Sequence, residues 1–145
     1  GEFHPRYDAK SRLYRYQIYA SAIRKPLLEK YHWRVWPEPD IDLMNAGAAF
    51  LVGPHEFNNF GKPYEPEGRT ARRINNAEWK QDSAQKNLVF RIEANSFLYH
   101  MVRRIVFVLV RVGQRKTNAE DVAQALAGID NLPPGIAPAK GLFLE

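Results

Sequence analysis

From Ser11 to Ala20 polar and apolar positions alternate, with Tyr14, Tyr16 and Ile18 on one side and Leu13, Arg15 and Gln17 on the other. A period of two in a Tyr-rich run predicts a strand. After "PEPD" the period changes. Asp40 is placed to cap a helix over "IDLMNAGAAFLV", whose apolar side carries Leu43, Ala46, Gly47, Phe50 and Leu51 and which Gly53 and Pro54 end. Residues 55–70, dense in Pro, Gly and Asn, read as a strand end and a mobile loop. "RRINNAEWKQD" and "NLVFRIEAN" predict a hairpin joined by "SAQK". In its second strand Leu88, Phe90, Ile92 and Ala94 point one way, to be buried; Val89, Arg91, Glu93 and Asn95 point to a wetter side.

A long, mostly apolar helix follows, from Ser96 to Lys116. A shorter one runs from Asn118, its cap, to Gly128, its stop. The proline-rich tail "LPPGIAPAKGLFLE" leads into a final short strand. The order is strand, helix, strand, strand, helix, helix, strand. That is an α+β layer, a ferredoxin-like βαββαβ core with a mostly antiparallel sheet, helices on one face and one added helix. Residues 1–145 read as a single domain without internal repeats.

Two adjacent arginines interrupt the long helix. At about 100° per residue, Arg104, Arg111 and Arg115 share a polar, solvent-side stripe with His100, while Arg103 lines up with Tyr99, Val106 and Val110. Arg103 is therefore expected to be the more buried of the pair. It either snorkels to the surface along its stem or is held, desolvated, for a buried anion. The aspartates, Asp8, Asp40, Asp42, Asp82, Asp121 and Asp130, mostly fall at caps, turns or termini, and none stands out as its partner.

Composition narrows the function classes. With 45% hydrophobic and 26% charged residues the chain is globular in type, and 21 Lys and Arg against 16 Asp and Glu give a net charge of +5. That surplus fits either a polyanion partner or a well-solvated basic surface. No run of about 18 uncharged apolar residues exists, so no membrane association is expected, and the first residues lack a signal-peptide core. Zero cysteines fit a cytoplasmic protein. The four histidines, at 4, 32, 55 and 100, have no ligand-like spacing, so no metal site is expected. No nucleophile elbow and no phosphate-cradling Gly-Lys-Ser/Thr loop occurs.

Three stretches, "FHPRYDAKSRLYRYQIY", "FRIEANSFLYHMVRRIV" and "PPGIAPAKGLFL", resemble the C-terminal half of the TruA family of tRNA pseudouridine synthases. The resemblance covers nearly the whole chain, in the family's order and spacing. It implies an enzyme that isomerises uridines of the tRNA anticodon arm to pseudouridine, without cofactor or metal, in a cleft between two halves of similar fold. The essential aspartate belongs to an N-terminal-half motif, R-T-D-x-G-V-H-A, which is absent here; Arg69-Thr70 is followed by Ala71. The expected partners are tRNA, the missing N-terminal half and a second copy in a dimer, and the chain alone is expected to be inactive.

The resemblance also implies roles for particular residues. Arg103 matches the arginine that pairs with the catalytic aspartate. Tyr14 matches the tyrosine that packs on the target base, although without the resemblance core packing with Tyr16 and Ile18 is the preferred reading. Leu142 falls in the segment bordering the uracil. His4 and Arg6 belong to the "FH-x-R" signature, for RNA contact or the join between halves, against a loose chain start. Arg69, Arg72 and Arg73 form a basic cluster, either for phosphates or simply solvated. His100 and Arg104, on the helix stripe, complete the set of candidate substrate contacts. The alternative to an enzyme half is a free-standing RNA-binding or interaction domain that works through its basic surface and the strand face of Tyr14.

Overall fold

A computed structural model describes residues 11–82 and 87–145. His4, Arg6 and the expected "SAQK" turn lie outside the described residues. In chain order the elements are β1 (Arg12–Ala20), α1 (Pro26–Glu29), β2 (Trp33–Val35), α2 (Ile41–Ala49), β3 (Gly53–Glu56), β4 (Ala71–Gln81), β5 (Leu88–Ala94), α3 (Met101–Gly113), α4 (Ala119–Leu126), a 3-10 turn (Ala139–Gly141) and β6 (Leu142–Leu144).

The six strands form one mixed sheet, ordered β2-β1-β5-β4-β3, with β6 also paired to β1. β1 runs antiparallel to β5 from Arg12↔Ala94 to Ile18↔Leu88. Its other edge is divided: β6 pairs antiparallel with Tyr14 to Tyr16, and β2 pairs parallel with Ile18 to Ala20. Without β2 and β3, the run β1–α2–β4–β5–α3–β6 lies across the sheet as β6-β1-β5-β4. This is the expected ferredoxin-like frame. α1 and β2 were not expected as elements, because three or four residues are too few to show a period, and β3 was expected only as the strand end at the start of residues 55–70.

The core follows the predicted alternation closely in β5, where Leu88, Phe90, Ile92 and Ala94 are buried and Arg91 is exposed. Against it pack the apolar residues of α3, among them Ile105, Val106, Leu109 and Val110. Each such side chain removed from water contributes about 1.5–3 kcal/mol. α2 presents a face turned from the expected one: Met44, Gly47 and Ala48 are buried with Leu51, while Ala46 and Phe50 are exposed. Gly47 sets this orientation, since a Cβ there would lie 2.9 Å from Leu109 Cδ2. Removing that atom lets the two helices approach. Gly53 and Pro54 do not end α2; Phe50 caps it, and they begin β3. Phe57 and Phe60 are buried, so the first part of the expected mobile loop belongs to the core.

The caps agree with the sequence. Asp40 accepts from the N–H groups of Asp42 and Leu43, Asn118 and Asp121 form a reciprocal capping box, and Gly128 turns the chain at φ +100. β3 covers β4 only from Ala71 to Ile74. Further along that edge Asn45 of α2 takes over, donating to the Trp79 carbonyl at 3.1 Å and accepting from the Trp79 N–H at 2.8 Å. The long helix starts at Met101 rather than Ser96. Tyr99 instead pairs with Lys62 as an isolated β-bridge, and His100 holds a left-handed φ of 63. Neither residue can continue a right-handed helix.

Candidate functional site

α3 opens onto a cavity of about 190 Å³ lined by Tyr14, Tyr64, Phe97, Arg103 and Leu142, with Tyr99 and His100 at its rim. Three chain regions converge here because β1, β6 and the start of α3 meet at one end of the sheet. Tyr14 lies opposite Leu144 on β6, and its ring meets Phe97 edge to face at 5.2 Å. Tyr14 is half-buried, whereas Tyr16 and Ile18, two and four residues on, are fully buried. The strand therefore carries two core positions and one pocket position on the same face. Gly141 permits the close seating of the tail, since a Cβ there would come 2.8 Å from the Gln17 carbonyl oxygen and the Tyr16 ring.

Arg103 stands at the mouth of the helix. Its Nε donates to the Ala137 carbonyl at 2.7 Å, and among the described residues no carboxylate pairs with it. No side chain caps the α3 N-terminus, and no acidic residue lies in its first turn. A guanidinium and an uncapped helix N-terminus on one apolar, aromatic pocket make a receptor for a carboxylate beside a flat ring. The tail that holds Arg103 is held in turn by Tyr16, whose hydroxyl donates to the Pro138 carbonyl. Burial pushes the Tyr16 hydroxyl above the usual phenol range, against the opposing influence of the Arg103 charge.

Both arginines of the pair are half-buried. Arg104, expected on the solvent side, also folds inward. Its Nη1 donates to the carbonyls of Pro133 and Gly135, and burial lowers its pKa from the ordinary arginine value. The stripe is not uniformly solvent-side either. Arg111 lies 4.6 Å from the centre of the Phe107 ring, and Arg115, past the helix at φ 62, pairs with Asp40 at 3.1 Å.

The basic cluster divides. Arg69 and Arg73 are exposed, whereas Arg72 donates to the carbonyls of Arg69 at 2.9 Å and Ala71 at 2.7 Å, a local structural duty. Arg69 and Arg72 border a groove that shares Tyr64 with the Arg103 pocket. Sequence reasoning named Tyr14, Arg103, Leu142 and His100 as candidate site residues, and the structure brings them to one pocket. It did not find Phe97, Tyr64 or Tyr99. The aromatic in "KPY" and the pair in "SFLY" were the available signals. Among the described residues no group of three or more His, Asp or Glu side chains gathers to hold a metal ion, and no helix is long and apolar enough to cross a membrane.

Residues 48–145 match the family model described as tRNA pseudouridine synthase. The chain is similar to tRNA pseudouridine synthase A of Fervidobacterium nodosum, with 41% identity over 98% of this chain and 58% of that protein. With the enzyme of the same name from Moorella thermoacetica the identity is 35%, over 99% of this chain and 58% of the relative. For Citrifermentans bemidjiense it is 39%, over 99% and 57%. The chain thus spans somewhat more than half the length of the curated relatives it matches.

Proposed function

Since this chain belongs to the tRNA pseudouridine synthase family, we propose that it is the C-terminal half of an enzyme that converts uridine in the tRNA anticodon arm to pseudouridine. The observation that carries this reading is the half-satisfied Arg103: one nitrogen is anchored on the Ala137 carbonyl, and no carboxylate of the described residues meets the rest.

In this reading the second half brings an aspartate against Arg103 and the α3 N-terminus. The opposing charge lowers that carboxyl's pKa and keeps it ionised, ready for nucleophilic attack or proton abstraction. Tyr14, edged by Phe97 and walled by Leu142, offers an aromatic face to a uracil taken out of its stack. The isomerisation breaks the glycosidic bond at N1 and re-forms it at C5, so the hydrogen on C5 leaves and N1 gains one. Arg69 and Arg73 follow the tRNA backbone. A cytoplasmic setting and a dimer belong to the same proposal. Leu27, Trp36 and Leu144, 98%, 53% and 56% exposed, are surfaces for the other half or a second copy. A light-scattering mass of one chain at high concentration would count against self-association.

The test uses tRNA tritiated at uridine C5. The chain alone is expected to release no tritium above background, and adding the N-terminal half of a relative as a separate polypeptide is expected to start release. Release by the chain alone would sink the half-site reading.

A further inference from the structure

A second cavity, of about 740 Å³, opens beside the Arg103 pocket, and Tyr99 and His100 form the wall that the two share. The two rings of this wall stack with centres 3.7 Å apart and planes 23° off parallel. Neighbouring side chains reach that arrangement only because His100 takes the left-handed backbone, at φ 63. A non-glycine residue held in that conformation beside a site is a reason to look for function. The surrounding walls are fixed. Lys62 and Tyr99 exchange backbone hydrogen bonds of 2.8 and 3.4 Å, and Arg104 ties down the carbonyls of Pro133 and Gly135 opposite.

The chemistry of the lining is that of a nucleotide site. Tyr99 is about half-exposed, so its ring has a free surface. Lys62 is exposed and forms no ion pair among the described residues. Asp130, a carboxylate on the lining, accepts from the Leu132 N–H at 3.1 Å and acts on Arg104, which offsets its charge. Asn59 commits its amide N–H to the Ala125 carbonyl at 2.9 Å, which leaves its oxygen to accept from a base edge.

We propose that this cavity receives the nucleotide adjoining the target uridine, its base against the Tyr99–His100 wall and its phosphate on Lys62. The proposal rests on the reading of the first pocket as the uracil site. One pair of rings separates the two cavities, so two consecutive bases would be parted from each other and each re-stacked on protein. Aromatic stacking replaces the base–base stacking that extrusion of the target gives up. Tyr99 and His100 then act as the wedge that keeps the strand open.

The test is binding of the chain, by fluorescence anisotropy at low salt, to a stem-loop RNA with one loop uridine. Companion RNAs are abasic at the uridine, at its 5′ neighbour or at its 3′ neighbour. The variants are His100→Asn, which tolerates the left-handed backbone but removes the ring, Lys62→Ala and Tyr14→Ala, each checked for fold by circular dichroism. Losing one neighbour base is expected to weaken wild-type binding about tenfold, and His100→Asn no more than about twofold. Lys62→Ala is expected to weaken all four RNAs alike. Equal losses in wild type and His100→Asn, no effect of either neighbour, or no binding at all would overturn the proposal. Removal of the target base reports separately on the first pocket. If it matters no less in Tyr14→Ala than in wild type, the uracil reading fails even where the neighbour site stands.

Discussion

Arg103 and Ala137 hold each other through two hydrogen bonds: Arg103 Nε donates to the Ala137 carbonyl at 2.7 Å, and the Ala137 N–H donates to the Arg103 carbonyl at 3.0 Å. The helix and the tail are thus locked together at Arg103. Nε is used for orientation, and both Nη groups stay without a partner among the described residues. Lysine could not divide its nitrogen in this way. In an enzyme carrying both halves, Arg103→Lys is expected to reduce kcat on the order of a hundredfold with a smaller change in KM. An unchanged kcat in a tritium-release assay would remove Arg103 from the chemistry.

Arg73 is exposed, whereas Arg72, which borders the same groove, is committed to two carbonyls of its own loop. A phosphate contact should therefore be read from Arg73 and not from Arg72. Arg73→Ala is expected to weaken RNA binding for every sequence and to lower the slope of log affinity against log salt by about one. If Arg72→Ala shows that signature and Arg73→Ala does not, the assignment within the cluster is reversed.

Glu29 accepts from Lys140 Nζ at 2.7 Å and from the Tyr19 hydroxyl, tying α1 to the turn that precedes Leu142. The Lys140 hydrogen bond, followed by that from Tyr19, lowers its pKa from 4.5 to about 2. A depressed folded-state pKa adds stability that is complete above the unfolded value and is lost as pH falls through the folded one. The midpoint of thermal unfolding should therefore fall more steeply between about pH 4.5 and 2 in the wild type than in Glu29→Gln. Parallel curves over that window would show that the network adds nothing to stability.

Asn45 satisfies both backbone groups of Trp79 on the edge of β4 that β3 no longer covers. Asn45→Ala strands a partly buried N–H and C=O together and is expected to cost about 1–3 kcal/mol. The urea midpoint should drop without a change in slope. A midpoint within error of the wild type would mean that water replaces the amide at this edge.

The frame was legible where a period had room to repeat. β1, β5, α3 and α4 each show several turns of their pattern, and Asp40 and Asn118 mark helix starts by a local hydrogen bond that sequence encodes directly. What failed was decided by distant neighbours. α2 is turned because Leu109 of α3 needs the space above Gly47. α3 starts late because Lys62, from a loop, claims the Tyr99 backbone. The contact that Arg103 makes within this chain could not be found among the aspartates because it is a backbone carbonyl of the tail, and carbonyls carry no letter in a sequence.

The divided edge of β1 has a consequence for how the molecule behaves in concentrated solution. A long open strand invites another chain to add to it, and such addition propagates into fibres. Here β6 and β2 together cover six residues of β1, Tyr14 to Tyr16 and Ile18 to Ala20 on either side of Gln17, and each offers only three residues of its own. On the far side β3 is four residues long, and beyond it Asn45 occupies the backbone of β4. Short, divided edges of this kind give strand addition little to build on, so union with another polypeptide is expected to rely on side chains.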